Sequence, residues 1–168
     1  MPIVQTGVRA GTWATTPFQR EPTLPYRILV VDDDPLICRL NSEVLIYSGY
    51  QVDATNDGAA AWDALRVNNY DLQLTDNDMP QVTGMDLLKK VHATRMAVPV
   101  VMATGTLPAR EFDLYPWLQP AAALLKPYSF DKLLETVKEV LSATATVKAE
   151  IAPPQNVHGK PANGALRL

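Results

Sequence analysis

The chain has 168 residues, 47% of them apolar, enough for one globular domain with a real core and spare ends. Its net charge of −3 is uneven: residues 1–26 carry +1 and residues 145–168 carry +2, which leaves −6 between them and argues against nucleic acid as a direct partner of that middle. A single cysteine, Cys38, excludes an internal disulfide; with no apolar run near the ~20 residues of a membrane helix and no signal-peptide layout, the expected location is cytoplasmic.

Residues 1–25 hold Pro2, Pro17, Pro22 and Pro25 and follow neither a helical nor a strand period. They read as a flexible extension, with Trp13 and Phe18 as incidental aromatics on a solvated arm. Tyr26 to Asp32 contains the unbroken run Ile28-Leu29-Val30-Val31, which suits a strand buried on both faces. Asp34-Pro35 then starts a helix, with aspartate as N-cap and proline at the first helical position. Ile37, Leu40, Val44 and Leu45 predict its inner face, and Gly49 its left-handed cap. Gln51 to Thr55 is a second strand, and Asn56-Asp57-Gly58 turns into a helix lined by Ala61, Trp62 and Leu65. Tyr70 to Thr75 is a third strand, in which Leu72 and Leu74 alternate with more polar neighbours; Asp76 falls at its carboxyl end, and Met79-Pro80 forbids its continuation.

A third helix spans Gly84 to Thr94, with Leu87, Leu88 and Val91 inward and Lys89 and Lys90 outward. Pro99 to Ala103 is a fourth strand ending at Thr104-Gly105, and Ala121 to Leu125 a fifth ending at Lys126-Pro127. Between them Pro108, Pro116 and Pro120 leave room only for a short helix from about Pro108 to Leu114, then an irregular piece whose Tyr115, Trp117 and Leu118 read as local core. Ser129 to Leu141 is the last amphipathic helix, with Leu133, Leu134, Val137, Val140 and Leu141 inside. Residues 143–168 read as a flexible tail. Five βα repeats over residues 26–142 call for a doubly wound parallel sheet.

In such a sheet all strand ends of one polarity share a rim, and ligands bind there. That rim collects Asp32 and Asp33 from the first strand, Asp76 from the third, Thr104 from the fourth and Lys126 from the fifth. Three neighbouring carboxylates repel and call for a cation; oxygen-only ligands favour Mg²⁺, or Mn²⁺. A lysine and a hydroxyl are what a carboxyl phosphate would take as point charge and donor, so Asp76 is a plausible nucleophile making an aspartyl phosphate. His92 and His158 lack partners at catalytic or metal spacing, and Cys38 reads as packing.

The chain resembles a response-regulator receiver domain of two-component signalling. The matching residues are Ile28 through Pro35, Gly49-Tyr50, Asp76-Asn77-Asp78-Met79-Pro80 with Gly84, Pro99 through Gly105, and Leu125-Lys126-Pro127-Tyr128. The resemblance implies a flavodoxin-like fold with strand order 2-1-3-4-5. It implies that Asp76 accepts a phosphoryl group from a histidine kinase or phosphotransfer protein. Mg²⁺ would be held by Asp32, Asp33, Asp76 and the backbone carbonyl of Asp78. Lys126 would contact the phosphoryl group, its bond to Pro127 would be cis, and Thr104 would swing toward the phosphate and report it to the surface. The Asp78 side chain is expected to alter the lifetime of the aspartyl phosphate.

Three departures stand out. Ala123 occupies the place of the usual switch aromatic, the fourth helix is proline-broken, and Thr83 stands where aspartate is common. Tyr115 or Trp117 is a candidate substitute for the aromatic. No output domain follows residue 143, which suggests a stand-alone receiver acting through an unknown downstream protein, with homodimerisation open. Two rivals remain: a pseudo-receiver that binds without phosphorylation, and a haloacid-dehalogenase-type phosphatase using Asp76-x-Asp78, whose late carboxylates would be Glu111 and Asp113.

Overall fold

The protein is described from a computed structural model, which covers residues 25–151. The expected N-terminal extension, Pro25 excepted, and residues 152–168 lie outside the described residues, and with them Trp13, Phe18 and His158.

Strands β1 (Arg27–Val31), β2 (Gln51–Thr55), β3 (Leu72–Asp76), β4 (Val100–Thr104) and β5 (Ala122–Leu125) alternate with helices α1 (Pro35–Tyr47), α2 (Gly58–Val67), α3 (Gly84–Ala93), α4 (Ala109–Leu114) and α5 (Phe130–Ile151). All pairings are parallel, in the order β2-β1-β3-β4-β5. The flavodoxin-like expectation is met. Two apolar clusters, one on each face of the sheet, cover it. Ile28, Val30, Leu72, Leu74, Val101 and Leu124 pack with Leu133, Val137 and Leu141 of α5 on one face. Leu29, Val31, Val100 and Met102 pack with Ala61, Leu65, Leu87, Leu88 and Val91 of α2 and α3 on the other. Each buried Val, Leu, Ile or Met side chain is worth roughly 1.5–3 kcal/mol relative to exposure.

The local signals act as read. Asp34 caps α1 by accepting from the amides of Leu36 and Ile37, Gly49 has φ +92°, and the Lys126–Pro127 bond is cis. Four expectations need correction. First, the polar residues that alternate with Leu72 and Leu74 in β3 do not face solvent: Gln73 and Thr75 are fully buried, because a central parallel strand is covered on both faces. Both amide atoms of Gln73 are buried without a hydrogen-bond partner. Second, α1 turns Cys38, Asn41, Ser42 and Leu45 inward, while Ile37 and Leu40 are only partly covered. Third, of the irregular piece only Leu118 is buried; Tyr115 and Trp117 stay 44% and 64% exposed, since a six-residue α4 cannot fold them back over the sheet. Fourth, α5 runs to Ile151, ten residues past Leu141. The apolar stripe ends at Leu141, but the following alanines, Lys148 and Glu150 are good helix formers and nothing breaks the helix before Pro153.

At the sheet's other rim, Arg27 Nε donates to Asp53 Oδ2 at 3.1 Å and the Tyr70 hydroxyl to the same oxygen at 2.7 Å. Burial and this bond push the Tyr70 hydroxyl up to about 12. The folded state therefore keeps a proton that the unfolded chain starts to lose near the ordinary tyrosine value of 10.0, so stability falls as pH rises through that interval. Urea titrations across it should show Tyr70→Phe losing less stability than the wild type. Replacing the unpartnered amide by Gln73→Leu should raise stability by about 1–3 kcal/mol, read by the same titration at neutral pH.

Candidate functional site

The ladders carry the site. Backbone pairing continues one step past three strands: the Asp32 amide donates to Thr55 O at 3.3 Å, Asn77 to Ala103 O at 2.9 Å and Lys126 to Thr104 O at 2.9 Å. Asp32, Asp76, Thr104 and Lys126 are thus fixed to the same rim by the sheet itself, not by mobile loops. Carboxylate oxygens of Asp32, Asp33 and Asp76 all lie within 4.8 Å of one another, and theirs is the one such trio among the described residues. Glu111 and Asp113 sit apart, exposed on α4.

Burial divides the trio. Asp32 and Asp76 are 2% and 5% exposed, whereas Asp33 faces solvent. Lys126 Nζ bridges the buried pair, 3.3 Å from Asp32 Oδ2 and 3.2 Å from Asp76 Oδ1. Asp32 Oδ1 also accepts from the Asp34 amide at 3.0 Å. Asp76 Oδ1 is buried and has the Lys126 ammonium as its one partner, so this anionic oxygen is under-satisfied. Burial, opposed by the Asp34 amide and Lys126, raises the pKa of the Asp32 carboxyl above 3.8. Burial pulls the Lys126 ammonium down, but Asp32 and Asp76 together outweigh it and its proton is held more tightly than usual. One lysine therefore faces three carboxylates. The excess negative charge and the under-satisfied oxygen fit a hard divalent cation such as Mg²⁺.

Thr104 is fully buried at the end of β4, and its hydroxyl donates to Thr106 O at 2.7 Å. Asp78 is exposed in the loop after β3; its Oδ2 accepts from the Gly105 amide at 3.5 Å. Ala123 is exposed, and no aromatic stands behind Thr104 on β5. Trp117 instead meets Tyr115 and His92 edge-on, each at 6.0 Å between ring centroids.

Four positioning residues were not foreseen. Asn56 Nδ2 donates to the Asp32 carbonyl at 2.7 Å and so ties the loop after β2 to the acidic corner. Asn77 Oδ1 accepts from the Met85 amide at 3.2 Å. Thr83 and Asp86 form a capping box at the start of α3, which gives Thr83 a local role. Gly84 follows Thr83 and lies against the end of β3: a Cβ there would meet the Asp76 carbonyl oxygen at 2.5 Å and Asn77 Cα at 3.0 Å.

The profile of the response regulator receiver domain matches residues 28–138. The chain belongs to the response regulator receiver family. It is 34% identical over 125 residues to the transcriptional regulatory protein ZraR of Escherichia coli K12, covering 73% of this chain and 28% of ZraR. It is 34% identical over 110 residues to the sensor histidine kinase RcsC of Salmonella typhi, covering 66% of this chain and 12% of RcsC. This receiver thus spans under a third of either relative. Among solved structures, the CheY-like receiver of Methanospirillum hungatei superposes with a TM-score of 0.69 at 28% identity, covering 73% of this chain and 98% of that one. TrrA of Thermotoga maritima, solved in complex with Mg²⁺-BeF, has a TM-score of 0.61 at 32% identity, covering 68% and 98%. The receiver is accordingly a signalling module rather than a conventional enzyme, which retires the phosphatase reading, and its acidic pocket is of the type found at phosphoacceptor sites. Receiver domains pair with histidine kinases. Among the described residues no helix is long and apolar enough to cross a membrane.

The Gly84 contact makes a test of how the rim is held. Gly84→Ala should cost about 1–3 kcal/mol in chemical denaturation, because backbone rather than a flexible side chain must give way. It should also weaken Mg²⁺ binding in calorimetric titration, since the Asp76 carbonyl and its strand end are what shift.

Proposed function

We propose that the receiver takes a phosphoryl group on Asp76 from a histidine kinase or phosphotransfer protein and signals through protein contacts. The observation that carries this reading is Asp76 Oδ1: a buried carboxylate oxygen whose one partner is the Lys126 ammonium, 3.2 Å away, and which lies beside two further carboxylates. A nucleophile needs an uncommitted lone pair, and this oxygen has one.

In the transfer, an Asp76 oxygen attacks phosphorus in line. The phosphorus–nitrogen bond of the donor phosphohistidine breaks, and the imidazole nitrogen keeps the electron pair. Lys126, already between Asp32 and Asp76, offsets charge on the phosphoryl oxygens. A Mg²⁺ ion held by Asp32, Asp33, Asp76 and the Asp78 carbonyl would neutralise part of the developing charge and orient the phosphoryl group. Thr104 must give up its bond to the Thr106 carbonyl before its hydroxyl can donate to a phosphoryl oxygen. Hydrolysis reverses the linkage: water attacks phosphorus and the Asp76 carboxylate leaves. A cytoplasmic location accords with supply from such kinases.

The exposed Ala123 favours a second reading, a receiver that binds partners without phosphorylation. Incubation with acetyl phosphate and Mg²⁺, followed by intact mass measurement, separates the two. The wild type should gain one phosphoryl group that Asp76→Asn does not gain. An unchanged wild-type mass, together with no response to beryllofluoride, would favour the second reading.

A further inference from the structure

Two donors at the end of β4 face the phosphoacceptor rim: the Thr104 hydroxyl and the Gly105 amide. Both are engaged by acceptors of the chain itself. The Thr104 hydroxyl donates to Thr106 O at 2.7 Å and accepts from the Thr106 amide at 3.3 Å, which closes a small turn over residues 104–106. The Gly105 amide is met from across the site by a carboxylate oxygen of Asp78, a residue 27 positions earlier on the loop after β3. The other oxygen of that carboxylate accepts from Asn77 Nδ2 at 3.4 Å. The same Asp78 oxygen is the one heavy atom within 4 Å of a Cβ built on Gly105, so nothing else crowds that turn.

We propose that Asp78 is a resident stand-in for the phosphoryl group: its carboxylate holds the Gly105 amide in the resting protein, and phosphorylation of Asp76 displaces it. This rests on the phosphoacceptor reading of Asp76. The physics favours exchange. At 3.4–3.5 Å, in solvent, both contacts of Asp78 are long and weak, so they latch the loop without locking it. An aspartyl phosphate two residues away brings charge of the same sign and oxygens that accept more strongly than a carboxylate at that distance. Like charge pushes Asp78 outward, and the freed amide becomes a donor for a phosphoryl oxygen. The latch joins the loop after β3 to the loop after β4, so its exchange moves residues 104–107 relative to the strand that carries Asp76. That matters here because Ala123 gives β5 no large side chain to follow Thr104 inward, and Leu107, already 42% exposed, lies at the end of the released segment. The loop itself becomes the moving part.

The test is amide NMR on the full chain, resting and with Mg²⁺ and beryllofluoride, for wild type, Asp78→Ala and Asp78→Asn. In the resting protein Asp78→Ala should shift the Gly105 amide and speed its hydrogen exchange, and Asp78→Asn, which keeps an acceptor oxygen but no charge, should fall between. With beryllofluoride all three should give the same Gly105 resonance, because Asp78 no longer holds it. Beryllofluoride should bind Asp78→Ala more tightly, on the order of tenfold, once a competitor and a like charge are gone. A resting Gly105 amide unmoved by Asp78→Ala would overturn the proposal. So would bound states that differ at Gly105 as much as the resting ones do. If beryllofluoride moves no resonance around Asp76 even in the wild type, the phosphoacceptor reading has failed instead, and with it the basis for the exchange.

Discussion

Two buried carboxylates, Asp32 and Asp76, share one lysine, and the rest of the rim is arranged around that imbalance. Two unit charges within 4.8 Å repel by at least about 3.5 kcal/mol at an effective dielectric of about 20. Lys126 offsets part of this from 3.2–3.3 Å, but a third carboxylate, Asp33, stands in the same cluster. The resting pocket is therefore electrostatically costly. It persists because the ladder continues past β1, β3 and β5 and because Asn56 and the Asp34 amide hold Asp32 from both sides. A divalent cation is what such a pocket is short of, since it would balance the acids.

The same economy explains how the site is joined to the surface. The two donors at the end of β4 each have an acceptor within the chain: Thr106 O for the Thr104 hydroxyl, Asp78 for the Gly105 amide. In contrast, what must not move is held by close packing. Gly84 sits against the Asp76 carbonyl, and a Cβ on Gly58 would meet Val82 O at 2.5 Å, so α2 and α3 brace the loop that carries Asp78. The short α4 leaves Leu114, Tyr115 and Trp117 exposed.

The fold and the acidic rim were legible because their signals are local and categorical. The run Ile28 to Val31, the Asp34-Pro35 cap and Gly49 each fix a conformation through a few adjacent residues, and parallel topology then places Asp32, Asp76, Thr104 and Lys126 together without further information. What escaped depends on tertiary geometry. Gln73 reads only as a more polar neighbour of Leu72 and Leu74, yet β3 is the central strand and buries it. Asn56 looks like turn chemistry until the fold brings its amide to the Asp32 carbonyl. Tyr115 and Trp117 read as core by residue type, but a six-residue helix ending at a proline cannot return them to the sheet. The last ten residues of α5 carry helix propensity without an amphipathic stripe, so periodicity does not reveal them.

The resting rim carries unbalanced negative charge that a divalent cation would relieve. Thermal unfolding of wild type and Asp32→Asn, each with and without Mg²⁺, tests this most directly. Without the cation, Asp32→Asn should be more stable than wild type, because the acid that burial has made costly to ionise is gone. With Mg²⁺, the wild type should gain stability and Asp32→Asn should gain little. A less stable metal-free Asp32→Asn, together with equal gains from Mg²⁺ in both proteins, would contradict it.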